Sequence, residues 1–290
     1  MLEACHDTAA PSEACIAGST FVMGHDPIPD PRVPLARIPQ LHAPAHRVKL
    51  PPFFMDVLPV TNGEYLRCLQ AGACPDECQT TGTQNSVGST SCASGSTFYY
   101  RYHVADAALA NHPVATVFDL GAAAYCAWVG RRLPTEAEWE RAARGPRGTD
   151  YPWGNAAPDC SRYGCDLVPL GDPSTPFMPV GAYPVDRVTG DVSPEGIRFM
   201  VTGVPEFLDD WYYDYPFDNG QAIPSPRGEP SSGSNGQSAR GNINARLPLY
   251  KGESSLPADQ ANEPFPQPAW ARADNRWLGR GGFRCARDDR

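Results

Sequence analysis

Ten cysteines have the widest chemical repertoire in this chain, because thiolates bind soft metals, attack electrophiles and form disulfides. No two of them form a Cys-x-x-Cys pair. The irregular group Cys68, Cys74, Cys78 and Cys92 lies in a Ser/Thr/Gly-rich segment without a nearby histidine pair. An even number of cysteines in this pattern favours disulfides and an oxidising compartment. The alternative is a metal site in which these four cysteines are the ligands.

An acidic and aromatic run could supply general acids and bases, because it places several carboxylates close together. The same run is also typical of a packed aromatic strand with solvated acids. A basic stretch follows it, with Arg240, Arg246 and Lys251 as candidate anion-binding groups. The acidic residues are Asp209, Asp210 and Asp214, and the aromatic residues beside them are Trp211, Tyr212, Tyr213 and Tyr215.

The histidines give a weaker signal for metal binding. His42 and His46 are four residues apart, but Pro44 between them excludes a shared helix. His103 and His112 are isolated, and no phosphate-binding glycine loop or Gly-x-Ser-x-Gly motif is present. We therefore predict a structural role for His46 rather than a histidine metal site.

Three short helices are predicted to position these groups. Thr135 is a good N-cap with Glu138 as its capping-box partner, and Gly145-Pro146 ends the helix, which predicts residues 136–144 as helical. Thr61 and Asp119 similarly predict helices over residues 62–71 and 120–129. Segments 73–97 and 216–240 are rich in Gly, Ser, Pro and Asn and are predicted to be loops.

Composition excludes two classes of protein. The net charge of −9 argues against nucleic-acid binding, which needs clustered lysine and arginine. No apolar run approaches 18 residues and the mean hydropathy is −0.41, so no membrane span is predicted. Thirty-two prolines and 27 glycines indicate many turns and few long elements.

One string is far more specific than its parts. Residues 131–155 read RRLPTEAEWERAARGPRGTDYPWGN, a capped helix followed by an aromatic-glycine turn. Together with further strings in the same order, it resembles the formylglycine-generating enzyme, or sulfatase-modifying factor, family. Those strings lie at residues 21–24, 46–50, 53–56, 59–65, 112–114, 122–128, 193–211 and 282–285.

The resemblance implies an α+β fold, the formylglycine-generating-enzyme variant of the C-type-lectin-like fold, loop-rich with three short helices and many short strands. It would occupy residues 18–290 as one domain, after a cysteine-bearing N-terminal segment over residues 1–17. The resemblance also implies a long-range disulfide between Cys126 and Cys285. The chain-entropy estimate for that bridge is on the order of 4 to 5 kcal/mol.

The oxidases of this family carry two active-site cysteines that bind Cu(I) as thiolates. This chain has no cysteine between Cys165 and Cys285, and Arg246 and Lys251 fall approximately at the two cysteine positions. Two cations in place of two thiolates repel copper. We therefore expect neither copper binding nor formylglycine formation.

The family position of this stretch implies a ligand-binding cleft. Its basic groups favour carboxylate or sulfate, so we expect an acidic ligand, a peptide or a protein as partner. The residues of the implied cleft are Arg240, Asn242, Asn244, Arg246, Tyr250, Lys251, Phe207 and Trp211.

Calcium is the one metal that the resemblance implies here. Glu206 matches the glutamate of the family's Gly-Asn-x-Trp-Glu-Trp loop, and the backbone carbonyls of Thr202 and Val204 complete the implied ligand set. Calcium prefers such hard oxygen ligands. The match lacks one ligand side chain and an indole, because Gly203 and Phe207 stand where the family has Asn and Trp.

Two functions compete. The first is a secreted, catalytically silent binding or interaction protein of this family, which the missing thiols favour. The second is a divergent, oxidoreductase-like enzyme that uses the same cleft without the copper cysteines. The cysteine content predicts an extracellular or periplasmic location, with an export signal removed before Met1.

Overall fold

The computed structural model describes side chains and backbone for most of the chain's regular elements. The described residues are 2–24, 45–75, 104–114, 117, 119–156, 184–186, 190–201, 203–204, 206–210 and 281–290, with the backbone alone for 211, 223–224, 248–251 and 273–274.

Three α-helices lie within these residues, where the capping signals predict them. Helix α1 spans Asn62–Gln70, α2 spans Asp119–Trp128 and α3 spans Glu136–Arg144. In α3 the Thr135 hydroxyl accepts from the Glu138 backbone N–H at 3.2 Å, and the Glu138 carboxylate accepts from the Thr135 N–H at 2.8 Å. The same reciprocal pair caps α1. A 3₁₀ turn at Ala107–Leu109 adds one short element.

Nine short strands form three sheets of three strands each in the described part of the chain. The sheet orders are β1-β4-β9, β2-β3-β6 and β5-β7-β8, antiparallel throughout except for the parallel pair β3-β6. The loop-rich α+β fold is therefore confirmed. The strands are Glu13–Ile16 (β1), Ser19–Met23 (β2), His46–Leu50 (β3), Phe53–Asp56 (β4), Glu206–Trp211 (β5), Ile223–Pro224 (β6), Pro248–Lys251 (β7), Ala273–Asp274 (β8) and Ala286–Asp288 (β9).

The segment before residue 18 pairs with β4 and packs against the hydrophobic core of the domain. Strand β1 pairs antiparallel with β4 from Glu13↔Asp56 to Ile16↔Phe53. A disulfide joins Cys5 to Cys15. Because Ile16 is fully buried in the core, this segment packs as part of the domain.

Two hydrophobic clusters hold the elements together. The first packs α3, through Trp139, against the β2-β3 sheet and β4. The second joins α1, α2 and the segment before β9. Its aromatic centre is formed by Tyr65, Tyr125 and Phe283, whose ring centroids lie 5.4 to 6.2 Å apart. These two clusters fix α2, α3 and β5 relative to one another.

Candidate functional site

Strands β5 and β7 bring part of the predicted cleft together. Their antiparallel register places Lys251 opposite Glu206 and Tyr250 opposite Phe207. Trp211 ends β5 opposite Pro248 of β7, after an irregularity in the register. Phe207 itself is fully buried in the second hydrophobic cluster, so its side chain packs the core beneath this sheet.

Several of the other predicted cleft and metal residues lie outside the described residues. This holds for Arg240, Asn242, Asn244 and Arg246 of the cleft and for Thr202 of the calcium loop.

Glu206 is engaged by two buried side chains. Its carboxylate accepts hydrogen bonds from Arg284 Nε at 2.8 and 3.0 Å and from Arg284 Nη2 at 2.7 Å. The indole Nε1 of Trp139 donates to Glu206 Oε2 at 2.7 Å. Glu206 and Arg284 are 1 % and 0 % exposed, so this is a buried, bidentate ion pair.

The remaining Arg284 donors reach backbone carbonyls. Nη1 donates to the carbonyls of Asp56 at 3.3 Å and Val57 at 3.2 Å, and Nη2 donates to Arg198 at 2.9 Å. The guanidinium therefore supplies the positive charge that the implied calcium would supply to Glu206. The side chains present around Glu206 do not fit a calcium ion, because the ion would have to displace Arg284. The implied ligand Val204 lies buried in the same region.

The acidic pair of β5 takes two different roles. Asp210 is buried and its Oδ2 accepts from the backbone N–H of Glu136, the first residue of α3. A carboxylate at a helix N-terminus satisfies a donor that has no partner within the helix and favours the helix dipole. Asp209 is exposed, and its backbone N–H donates to the Pro134 carbonyl at 2.8 Å. Asp210 therefore positions α3.

Disulfides account for every cysteine in the described part of the chain. The bridges are Cys5–Cys15, Cys68–Cys74 and Cys126–Cys285. The third joins α2 to the segment before β9 across 159 residues, with the Cα atoms 5.5 Å apart. It is the pair that the resemblance implies. Among the described residues no group of three or more His, Cys, Asp or Glu side chains could hold a metal ion.

The sequence analysis did not predict a cavity that lies between the end of β4, the start of α1 and α2. It encloses about 510 Å³, and its lining includes Asp56, Glu64, Arg67 and Tyr125. Burial raises the pKa of Asp56 to about 6, although Arg131 beside it favours the charged form. The Thr61-x-x-Glu64 string is visible in the sequence, but it signals only a helix cap.

The fold and the order of its motifs agree with the comparisons to known proteins. The sulfatase-modifying factor enzyme 1-like domain matches residues 2–289. The chain belongs to the sulfatase-modifying factor family. A solved structure, the Treponema denticola variable protein 1, shares this family member's fold with a TM-score of 0.54, at 17 % identity over 95 % of this chain and 94 % of that chain.

Two curated relatives match parts of this sulfatase-modifying factor domain. The serine/threonine-protein kinase Pkn1 of Chlamydia trachomatis is 32 % identical over 190 residues, covering 64 % of this chain and 28 % of the kinase. The hercynine oxygenase of Mycolicibacterium thermoresistibile is 32 % identical over 181 residues, covering 51 % and 36 %. The chain thus spans about a third of the length of these relatives.

No helix in the described part of the chain has the length and apolar character needed to cross a bilayer.

Proposed function

We propose that this protein is a secreted binding or interaction member of the sulfatase-modifying factor family that does not generate formylglycine. One observation carries the proposal: no cysteine occurs between Cys165 and Cys285, the interval where the family's oxidases carry their copper-binding pair. Cys285 itself is committed to the bridge with Cys126. Without a thiolate pair the soft Cu(I) ion lacks suitable ligands.

The residues that stand in place of the copper-binding cysteines indicate an anionic ligand. Arg246 and Lys251 stand approximately where the two thiolates would be, and Arg240 precedes them. Lys251 belongs to β7, which pairs with β5. Arginine binds carboxylates and sulfate in bidentate fashion, so an acidic peptide or protein surface is the proposed partner.

An extracellular or periplasmic location is part of this proposal. Three disulfides occur among the described residues, and such bridges persist in oxidising compartments.

Titration with a glutamate-rich peptide tests the proposed binding. We expect the wild-type protein to bind this peptide and not its lysine-rich counterpart. Replacing Arg246 and Lys251 together by Ala should weaken binding at least about tenfold, a loss of about 1.4 kcal/mol.

The matched control removes two positive charges from a different sheet. Arg47 and Lys49 are exposed on β3, in a different sheet, and their double replacement by Ala should leave the affinity near that of the wild type. An affinity unchanged by the Arg246/Lys251 replacement, or lowered equally in both double variants, would contradict the proposal.

The similarity to hercynine oxygenase favours a second candidate, an oxidoreductase-like enzyme that uses the same cleft. Arg240, Arg246, Tyr250 and Lys251 would then bind the substrate, with Asp209 and Asp214 as acid-base groups, since Asp210 is buried at the start of α3. Oxygen uptake in the presence of hercynine, above that of buffer and abolished by the Arg246/Lys251 replacement, would decide for this enzyme.

A further inference from the structure

The 510 Å³ cavity lies apart from the β5-β7 sheet and is large enough for a small organic ligand. It is bounded by the connection between β4 and α1, the first turns of α1, the turn at Ala110–Asn111 and Tyr125 of α2. The wall combines aliphatic residues such as Val57, Leu58 and Val60 with a few polar groups. Such a mixture is typical of small-molecule sites.

The Tyr125 hydroxyl is available to a ligand. The residue is 7 % exposed and its ring is held by Tyr65, Trp128 and Phe283. None of the residues that the structure describes makes a hydrogen bond to this hydroxyl. Tyr125 lines the cavity, so a ligand there can supply the hydrogen-bond partner that a phenol normally has.

Glu64 offers a second acceptor on the same wall. Its Oε2 accepts both capping hydrogen bonds, from the Thr61 N–H and the Thr61 hydroxyl, each at 2.9 Å. Its Oε1 accepts none from the described residues. Glu64 thus keeps one carboxylate oxygen for a donor within the cavity.

The electrostatics of the cavity favour a cation. Burial, together with the charges of Glu64 and Asp56, raises the pKa of Tyr125 to about 12 against the opposing Arg67 and Arg131. The field at this hydroxyl is therefore negative. Arg67 is exposed, so solvent screens its charge more than that of the half-buried Glu64.

Asp56 contributes to this field without offering a free oxygen. Its Oδ1 accepts from Arg131 Nη1, and its Oδ2 accepts from the Cys285 backbone N–H at 2.9 Å. A ligand charge would therefore be felt by Asp56 through space, while Tyr125 and Glu64 make the hydrogen bonds.

We propose that this cavity binds an alkylammonium group, with the Tyr125 hydroxyl and Glu64 Oε1 as its acceptors. The ammonium group carries three donors and a compact charge, which suits two acceptors in a negative field. The aliphatic wall takes up the alkyl chain. The group could belong to a free amine or to a lysine side chain of a partner.

Titration of the full chain with n-butylamine, followed by calorimetry, tests the proposal. 1-Butanol and butyrate serve as neutral and anionic probes of similar size. We expect butylamine to bind, with the two other probes at least about tenfold weaker. Equal binding of butanol, or no binding of butylamine, overturns the proposal. Comparing butylamine with N-acetyl-lysine methylamide then distinguishes a free amine from a lysine side chain.

Three variants assign the binding to this cavity. Glu64→Gln keeps a capping-box residue at its position and removes the charge, and it should weaken butylamine binding about tenfold. Tyr125→Phe should weaken it as well, whereas Arg67→Gln should strengthen it severalfold because the competing cation is gone. Arg67 is exposed, so this variant is expected to fold. If Glu64→Gln and Arg67→Gln changed the affinity for butylamine in the same direction, the assignment to this cavity would be contradicted.

Discussion

The guanidinium of Arg284 lies 2.7 Å from the carboxylate of Glu206, and both side chains are enclosed in the core. The pair joins β5 to the segment that precedes β9, and the indole of Trp139 ties it to α3. A buried charge without its partner is costly, so each of the two residues makes the other indispensable.

Replacement of one partner should therefore destabilise the protein strongly. We expect Arg284→Gln to lower the free energy of unfolding by about 3 to 5 kcal/mol, because the Glu206 carboxylate loses its counter-charge inside the core. Urea unfolding followed by circular dichroism measures this change. The control is His6→Ala, whose imidazole is 72 % exposed where it meets Asp289 and should contribute little. Similar losses in both variants would show that Arg284 has no special role.

Calcium should not stabilise the site at Glu206, because Arg284 already provides the positive charge. We expect the melting temperature of Glu206→Gln to respond to calcium and to a chelator just as the wild type does. A ligand that binds only the folded state would raise the melting temperature of the wild type selectively. A rise with calcium that disappears in Glu206→Gln would restore the metal site.

The long-range disulfide should stabilise the fold more than the local one. The chain-entropy estimate is roughly 5 kcal/mol for Cys126–Cys285 and roughly 2.4 kcal/mol for Cys68–Cys74, because the closed loops differ greatly in length. Paired Cys→Ala variants compared in urea unfolding measure both values. Free thiols at Cys126 and Cys285 in unreduced protein would instead remove the basis of this prediction.

Asp56 should make stability depend on pH. Its folded-state pKa of about 6 lies above the ordinary 3.8, so the folded state binds the proton more tightly. Its contribution is most favourable below the unfolded pKa and is lost as the pH rises through about 6. The difference in unfolding free energy between wild type and Asp56→Asn should therefore fall on the order of 3 kcal/mol between about pH 4 and about pH 7.5. The charged and polar groups facing Asp56 are Arg131, Glu13, Arg284 and the Cys285 N–H.

A stability difference that stays constant over this interval, or rises with pH, would contradict the prediction for Asp56.

The helices could be predicted because their signals are local. Thr135, Glu138 and Gly145 all lie within one short string, so α3 occurs over the predicted residues 136–144. Gly145 has a φ of 64°, a left-handed conformation that glycine adopts without steric cost. The other two helices differ from the prediction by a single residue at their ends, where helices commonly fray.

The pairings between distant residues could not be predicted in the same way. Glu206 and Arg284 are 78 residues apart, and their contact depends on how β5 lies against the last segment of the chain. The N-terminal strand β1 is also recognisable only through its partner β4. The cavity depends on the same kind of relationship, because α1 and α2 must meet before Glu64 and Tyr125 share one wall.

The most direct test asks whether the protein generates formylglycine. The protein is incubated with Cu(I), oxygen and a cysteine-containing sulfatase-type peptide, and mass spectrometry then measures bound copper and the mass of the peptide. We predict that the protein takes up no stoichiometric copper and that the peptide mass stays unchanged, because no thiolate pair occurs between Cys165 and Cys285. Stoichiometric Cu(I) uptake together with a peptide aldehyde would contradict the proposed function.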